Sequence, residues 1–176
     1  MKPWIKWLPF LAFVACFLLF RFSLMHPTNS TVPSKQIGRA LPDFHLEPAL
    51  SDMAGLSTTD FKDGHPHFLN IFASWCLPCA EEGASLMALH DAGIPVMAIA
   101  VRDRAEDITR FLNRHGNPYQ AIGQDQGSHV QIAIGSSGVP ESFLIDGQGI
   151  IRYQHIGPIT EQDLPQLMTI WRQLPS

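Results

Sequence analysis

The sequence predicts one α/β domain built on a central mixed sheet with helices on both faces, preceded by one N-terminal transmembrane helix. Three observations lead there. Two short apolar runs, 68–73 and 94–101, suit strands covered on both faces, and the segment between them reads as a helix. The turn sequence Asp146-Gly147-Gln148-Gly149 separates two further apolar runs, as in a hairpin. The first 25 residues are far more apolar than the rest, and the remainder of the 176 residues is the size of one domain with a single core.

Taking the elements in order, Lys2 and Lys6 precede an apolar stretch over 7–20, broken only by Pro9, and Arg21 is followed by Phe22 to Met25. From Trp7 to Met25 the chain reaches across a bilayer core of about 30 Å if Arg21 extends to the far interface. No small-x-small cleavage site follows, which favours an uncleaved signal anchor over 1–25, and the leading lysines place the N-terminus in the cytoplasm. Cys16 sits where the apolar run continues past it, so it reads as a small apolar residue. A polar tether rich in Pro, Asn and Ser covers 26–36, and the folded domain is expected over 37–176.

Residues 41–46 alternate weakly and suit an edge strand with Pro42 at its start. The runs 68–73 and 94–101 are then neighbouring parallel strands, which requires a crossover helix over 77–91. Ala84, Met87 and Ala88 supply that helix with an apolar face, and Gly93 lies where a cap belongs. A second helix over 104–115 buries Ile108, Phe111 and Leu112 and ends at Gly116-Asn117-Pro118. Between there and Ser137 the pattern is ambiguous: Val130, Ile132 and Ile134 fit a strand or a short helix equally. Runs 142–145 and 150–155 form the antiparallel pair, and 160–174 closes the chain as an amphipathic helix carrying Leu164, Leu167, Met168 and Trp171.

The chemistry sits at Trp75-Cys76-Leu77-Pro78-Cys79, between the first buried strand and its helix. A cysteine at such a junction faces unpaired N–H groups and the positive end of the helix dipole, so its thiolate is populated near neutral pH. Cys76 is therefore the candidate nucleophile. Cys79, one turn on, can attack a mixed disulfide at Cys76 and release the partner, leaving a redox-active Cys76–Cys79 disulfide with no external cofactor. A structural zinc needs about four ligands, and one Cys pair without suitably spaced histidines does not supply them. A purely structural disulfide across two residues would constrain the unfolded chain little. The net charge of −4 and the pI near 6.0 give no footprint for nucleic acid.

Four blocks carry a resemblance. Gly38-Arg39-Ala40-Leu41-Pro42-Asp43-Phe44 is followed by Leu69-Asn70-Ile71-Phe72-Ala73-Ser74-Trp75-Cys76, by Gly116-Asn117-Pro118-Tyr119 and by Gly138-Val139-Pro140-Glu141-Ser142-Phe143-Leu144-Ile145-Asp146-Gly147. In this order they resemble the thioredoxin superfamily, and within it the membrane-anchored DsbE/CcmG proteins of cytochrome c maturation, over about 38–171.

That resemblance implies a thioredoxin-like fold and a thiol:disulfide oxidoreductase working in the reducing direction. Its partners would be a membrane thiol transporter as electron donor and apocytochrome c, or an assembly partner, as client, with the domain in the periplasm. Pro140 would be a cis-proline facing the Cys pair, and Val139 would offer backbone groups to an extended substrate segment. Asn70 stands where ordinary thioredoxins have a buried aspartate, so the proton acceptor for Cys79 must come from elsewhere. Glu82, one turn after Cys79, matches the family's acidic residue, whereas Glu81 faces solvent. Glu141 would line the substrate groove or serve a structural hydrogen-bonding role, and Trp75 would shield Cys76 and stack on a partner. A related reductase serving a copper-site protein or thiols in general would use the same residues. A copper-delivering protein would use the two thiolates as soft ligands but lacks a third.

Overall fold

The computed structural model describes residues 7–25 and 36–175. Helix α1 (Leu8–Met25) has 18 residues. At 1.5 Å per residue that is about 27 Å, against about 30 Å of hydrocarbon. Among the described residues no helix is long and apolar enough to cross a membrane. Helix α1 stands in one compact unit, and everything from residue 34 onward forms another. Lys2, Lys6 and the expected tether, Gln36 excepted, fall outside the described residues.

In the second unit a two-residue strand β1 (His45–Leu46) pairs antiparallel with β2 (Leu56–Ser57). The main sheet comprises β3 (His67–Phe72), β4 (Val96–Val101), β5 (Tyr119–Asp125), β6 (Glu141–Ile145) and β7 (Ile151–Ile156). Their spatial order is β5-β4-β3-β6-β7. The strands β3, β4 and β5 run parallel, while β6 is antiparallel to β3 and β7 to β6. Every residue of β3 is buried, as a central strand covered on both faces requires.

The crossover expected as one helix over 77–91 is two: α2 (Leu77–Glu81) and α3 (Gly83–Asp91). Glu82 ends the first and starts the second because its carboxylate turns inward, to partners described below. Gly83 suits that break, since a Cβ there would come within 3.2 Å of the His115 carbonyl oxygen. The buried face of α3 is Leu86 and Leu89 with Ser85, one step round from the expected Ala84, Met87 and Ala88. Helix α4 (Ala105–His115) buries Ile108, Phe111 and Leu112 as expected.

Strand β5 falls in the stretch the sequence left ambiguous. Gln120, Gly123 and Gln124 disrupt its alternation, and Gly123 is required by contact: a Cβ there would lie 2.8 Å from Leu46 Cβ and 2.9 Å from Leu56 Cβ. The following residues form helix α5 (His129–Ile134), started by Asp125, whose carboxylate accepts from the N–H groups of His129 and Gln131 at 2.9 Å each. The last helix, α6 (Leu164–Trp171), is shorter than expected because Asp163 first takes the N–H and hydroxyl of Thr160 in a turn. The expected strand over 41–46 shrinks to β1, since side chains replace the ladder: Phe44 N–H donates to Thr58 Oγ1 at 2.8 Å.

The segment around these short strands covers both margins of the main sheet. Gly38 N–H bonds Ile151 and Ile151 N–H bonds Arg39 beside β7, whereas Ala49, Gln124 and Ile122 N–H groups bond Ile122, Glu47 and Ala54 carbonyls beside β5. At the hairpin, the Asp146 carboxylate accepts from the N–H groups of Gln148 (3.0 Å) and Ile150 (2.9 Å) and from Arg152 Nε (2.7 Å). Burial opposes that charge, yet these donors and the guanidinium outweigh it and hold the Asp146 carboxyl below its ordinary value.

Candidate active site

Strand β3 delivers the chain into Ala73-Ser74-Trp75, and Cys76 caps helix α2 with extended backbone. Its sulfur accepts from Cys79 N–H at 3.2 Å, the N-terminal donor geometry that favours a thiolate once the bond is reduced. Cys76 and Cys79 are joined as a disulfide with Cα atoms 5.3 Å apart, and Cys79 is the more buried of the two. The approach is fixed from the side by Asp103, a buried carboxylate that accepts from Ser74 Oγ at 2.7 Å and from Ser74 N–H. Trp75 is 61 % exposed and donates from Nε1 to the Arg102 carbonyl at 3.2 Å. It lies between two open grooves, one lined by Cys76, Leu77, Phe111 and Arg114, the other by Arg102, Gly138 and Val139.

The Val139–Pro140 peptide bond is cis. Val139 is half-buried along the second groove with Trp75, so the backbone expected to meet a substrate segment borders the same opening. Glu141 does not: it is 1 % exposed, and its carboxylate accepts from Ser136 Oγ (2.7 Å), Ser137 N–H (2.8 Å) and Gln154 Nε2. The structural alternative is the one the geometry supports, since Glu141 holds the turn that leads into Pro140 from beneath.

Glu82 is fully buried. Its Oε1 accepts from Asn70 Nδ2 at 3.0 Å and its Oε2 from Ile159 N–H at 3.2 Å. Burial pushes its carboxyl up to about 7, with those two hydrogen bonds pulling the other way and no cationic side chain helping them. Asn70, opposite Ser142 across the β3–β6 ladder, also donates to Ser142 Oγ at 3.0 Å and accepts from the Tyr119 hydroxyl at 2.8 Å. Glu81 is exposed, as expected. A buried carboxyl poised near neutrality one turn from Cys79 can take or return a proton as the disulfide opens and closes.

The model of the Redoxin family matches residues 36–170. The chain belongs to that family. The thiol:disulfide interchange protein HelX of Rhodobacter capsulatus is 34 % identical over 80 % of this chain and 79 % of its own length. The thiol:disulfide interchange protein DsbE of Pseudomonas fluorescens is 32 % identical over 98 % of this chain and 91 % of its own. Among solved structures, one described as a thiol:disulfide interchange protein DsbE from Chlorobium tepidum superposes with a TM-score of 0.61, at 26 % identity, covering 79 % of this chain and 98 % of that one. This Redoxin protein is thus a thiol:disulfide oxidoreductase with a thioredoxin-like fold, and it carries a Cys76–Cys79 disulfide.

Sequence reasoning named the two cysteines, Glu82 and the cis-proline but gave Tyr119, Ser142 and Asp103 no task. Tyr119 and Ser142 stood inside blocks already singled out, yet only the sheet register brings both onto Asn70. Asp103 carried no local signal. Of the histidines, His67 is buried against Asp63 at 3.0 Å. Among the described residues no group of three or more His, Cys, Asp or Glu side chains is placed to hold a metal ion.

Proposed function

We propose that this Redoxin protein is a membrane-anchored periplasmic reductant that opens disulfides between the haem-attachment cysteines of apocytochrome c, directly or through an assembly partner. The observation that carries the reading is Cys76 at the start of α2, lining the groove on one side of Trp75 while Val139 lines the groove on the other, with the more buried Cys79 behind it. The interchange names of the DsbE and HelX relatives support the reaction class, and the four sequence blocks support the client.

In the reducing direction the Cys76 thiolate attacks one sulfur of the client disulfide. The client S–S bond breaks, one client thiolate leaves, and a mixed disulfide forms at Cys76. Cys79, deprotonated by Glu82, then attacks Cys76 Sγ; the second client thiol departs and the Cys76–Cys79 bond closes. Two electrons pass to the client, and a dithiol on a membrane thiol transporter returns them. Trp75 shields the sulfurs, and the chain at Val139 and Pro140 aligns the incoming segment.

Anchoring rests on the apolar run from Trp7 to Met25. Helix α1 spans about 27 Å of a core of about 30 Å, and Arg21, four residues before its end, is accommodated by extending its guanidinium to the interface. The N-terminus is then cytoplasmic and the catalytic domain periplasmic, in a bacterial inner membrane.

Trapping tests mechanism and client together. Cys79→Ser in the full chain should accumulate a mixed disulfide through Cys76, visible on non-reducing gels of periplasmic membranes, while Cys76→Ser captures nothing. An apocytochrome c or its assembly partner in the trapped species supports the reading. A copper-site protein there, or capture through Cys79, overturns it.

A further inference from the structure

Tyr119 ends the Gly116-Asn117-Pro118-Tyr119 block and opens β5. Its ring stacks on Phe72 with centroids 5.0 Å apart, and its hydroxyl donates to Asn70 Oδ1 at 2.8 Å. Asn70 spends its other end on Glu82 Oε1 and Ser142 Oγ, both at 3.0 Å. Both N–H groups of the carboxamide and its oxygen are therefore engaged, at a position closed off from the surface.

A carboxamide can face a carboxyl group in two ways. With its NH2 end forward it stabilises the carboxylate, and turned round it offers an oxygen that accepts from the protonated acid. Turning would strand the buried Tyr119 hydroxyl proton without an acceptor. The groups facing Glu82 are Asn70 from β3, Tyr119 from β5, the Ile159 N–H ahead of α6 and, one turn back along α2, Cys79; none is cationic. Orientation of the Asn70 amide is thus a main control on when Glu82 holds a proton.

We propose that Tyr119 is a positioning residue of the redox site, its hydroxyl locking the Asn70 amide with the NH2 end toward Glu82 so that Glu82 can act as a base on Cys79. This rests on the reading of Glu82 as proton carrier. Without the hydroxyl the amide turns, Asn70 Oδ1 accepts from the protonated acid, and Glu82 keeps its proton to higher pH. The closing attack by Cys79 then begins at higher pH too.

The test follows the closing step in the full chain, as the rate at which a small aromatic thiol leaves its mixed disulfide with Cys76, from about pH 5 to about pH 9. Tyr119→Phe keeps the stack on Phe72. It should move the acid limb upward by about half a pH unit or more while the rate at the high-pH plateau stays within about two-fold of wild type. Carbon-13 NMR titration of the Glu82 carboxyl in the reduced protein should move by the same amount. Glu82→Gln removes the limb, and Tyr119→Phe adds nothing to it. An unmoved limb in Tyr119→Phe, or a rate lowered equally at every pH, overturns the role of Tyr119 and leaves Glu82 as carrier. A limb that persists in Glu82→Gln instead removes the reading beneath it.

Discussion

Glu82 and Asp146 are both closed off from solvent, Glu82 deep in the core and Asp146 just beneath the surface at the hairpin, and they behave in opposite ways. Asp146, just past the end of β6, meets two backbone N–H groups and the Arg152 guanidinium, and its carboxyl is held low. Glu82, one turn after Cys79, meets one amide and one backbone N–H, and its carboxyl rises to about 7. Burial acts with the same sign on both. Depth and donors together decide the outcome: near the surface, with a cation and two N–H groups, a carboxylate is a fixture of the fold, and deep in the core with two neutral donors it becomes a store for one proton.

Stability against pH gives the largest effect that could break this comparison. Glu82 in the unfolded chain ionises near 4.5, whereas in the folded protein it holds its proton to about 7. The native state binds more protons between those values, so its stability falls as pH rises through that window and the loss is complete above it. Glu82→Gln, whatever its constant offset, should therefore gain about 2–3 kcal/mol on wild type between pH 5 and pH 8. Parallel urea curves for the two proteins at both pH values would sink the assignment.

The opposite sign is expected at the hairpin. Asp146→Asn turns an NH2 group against Arg152 and should cost about 2 kcal/mol at pH 7. Because the folded-state value is depressed, the difference from wild type should shrink as pH falls below 3.8. Chemical denaturation measures both, and disulfide exchange at pH 7 should be unchanged; slowed exchange would show the two carboxylates to be coupled. The smallest effect is at Ser142→Ala, which leaves one Asn70 hydrogen without an acceptor and should cost about 1 kcal/mol. No measurable cost would mean that the Asn70 amide has a second partner available.

How legible all this was in sequence depended on the range of the interactions. Apolar runs and a strand-to-helix junction are local, so β3, β4, α4 and the Cys76–Cys79 pair could be read directly. The strand β5 could not, because apolar Ile122 shares a face with Gln120 and Gln124 and Gly123 is chosen by the packing of Leu46 and Leu56 on it, far away in sequence. The break at Glu82 was hidden for a related reason. A helix period places Glu82 on a face, but the inward turn of its carboxylate depends on Asn70 and on Ile159, 77 residues further on. Glu141 was placed beside the right proline, yet its partners Ser136 and Ser137 in the preceding loop and Gln154 in β7 draw it inward.

The segment from Gly38 to Ala54 occupies the outer hydrogen-bonding groups of Ile122 and Gln124 in β5 and those of Ile151 at the start of β7. Outer strands left bare are templates on which any extended peptide can grow another strand. With β5 covered along its middle and β7 at its start, a visiting polypeptide has less sheet edge on which to align its backbone, and the loop at Val139 is the backbone that borders the opening beside Trp75. Admission to the sulfurs is then decided at that loop, and copies of this protein crowded on a surface have fewer bare strands on which to zip together.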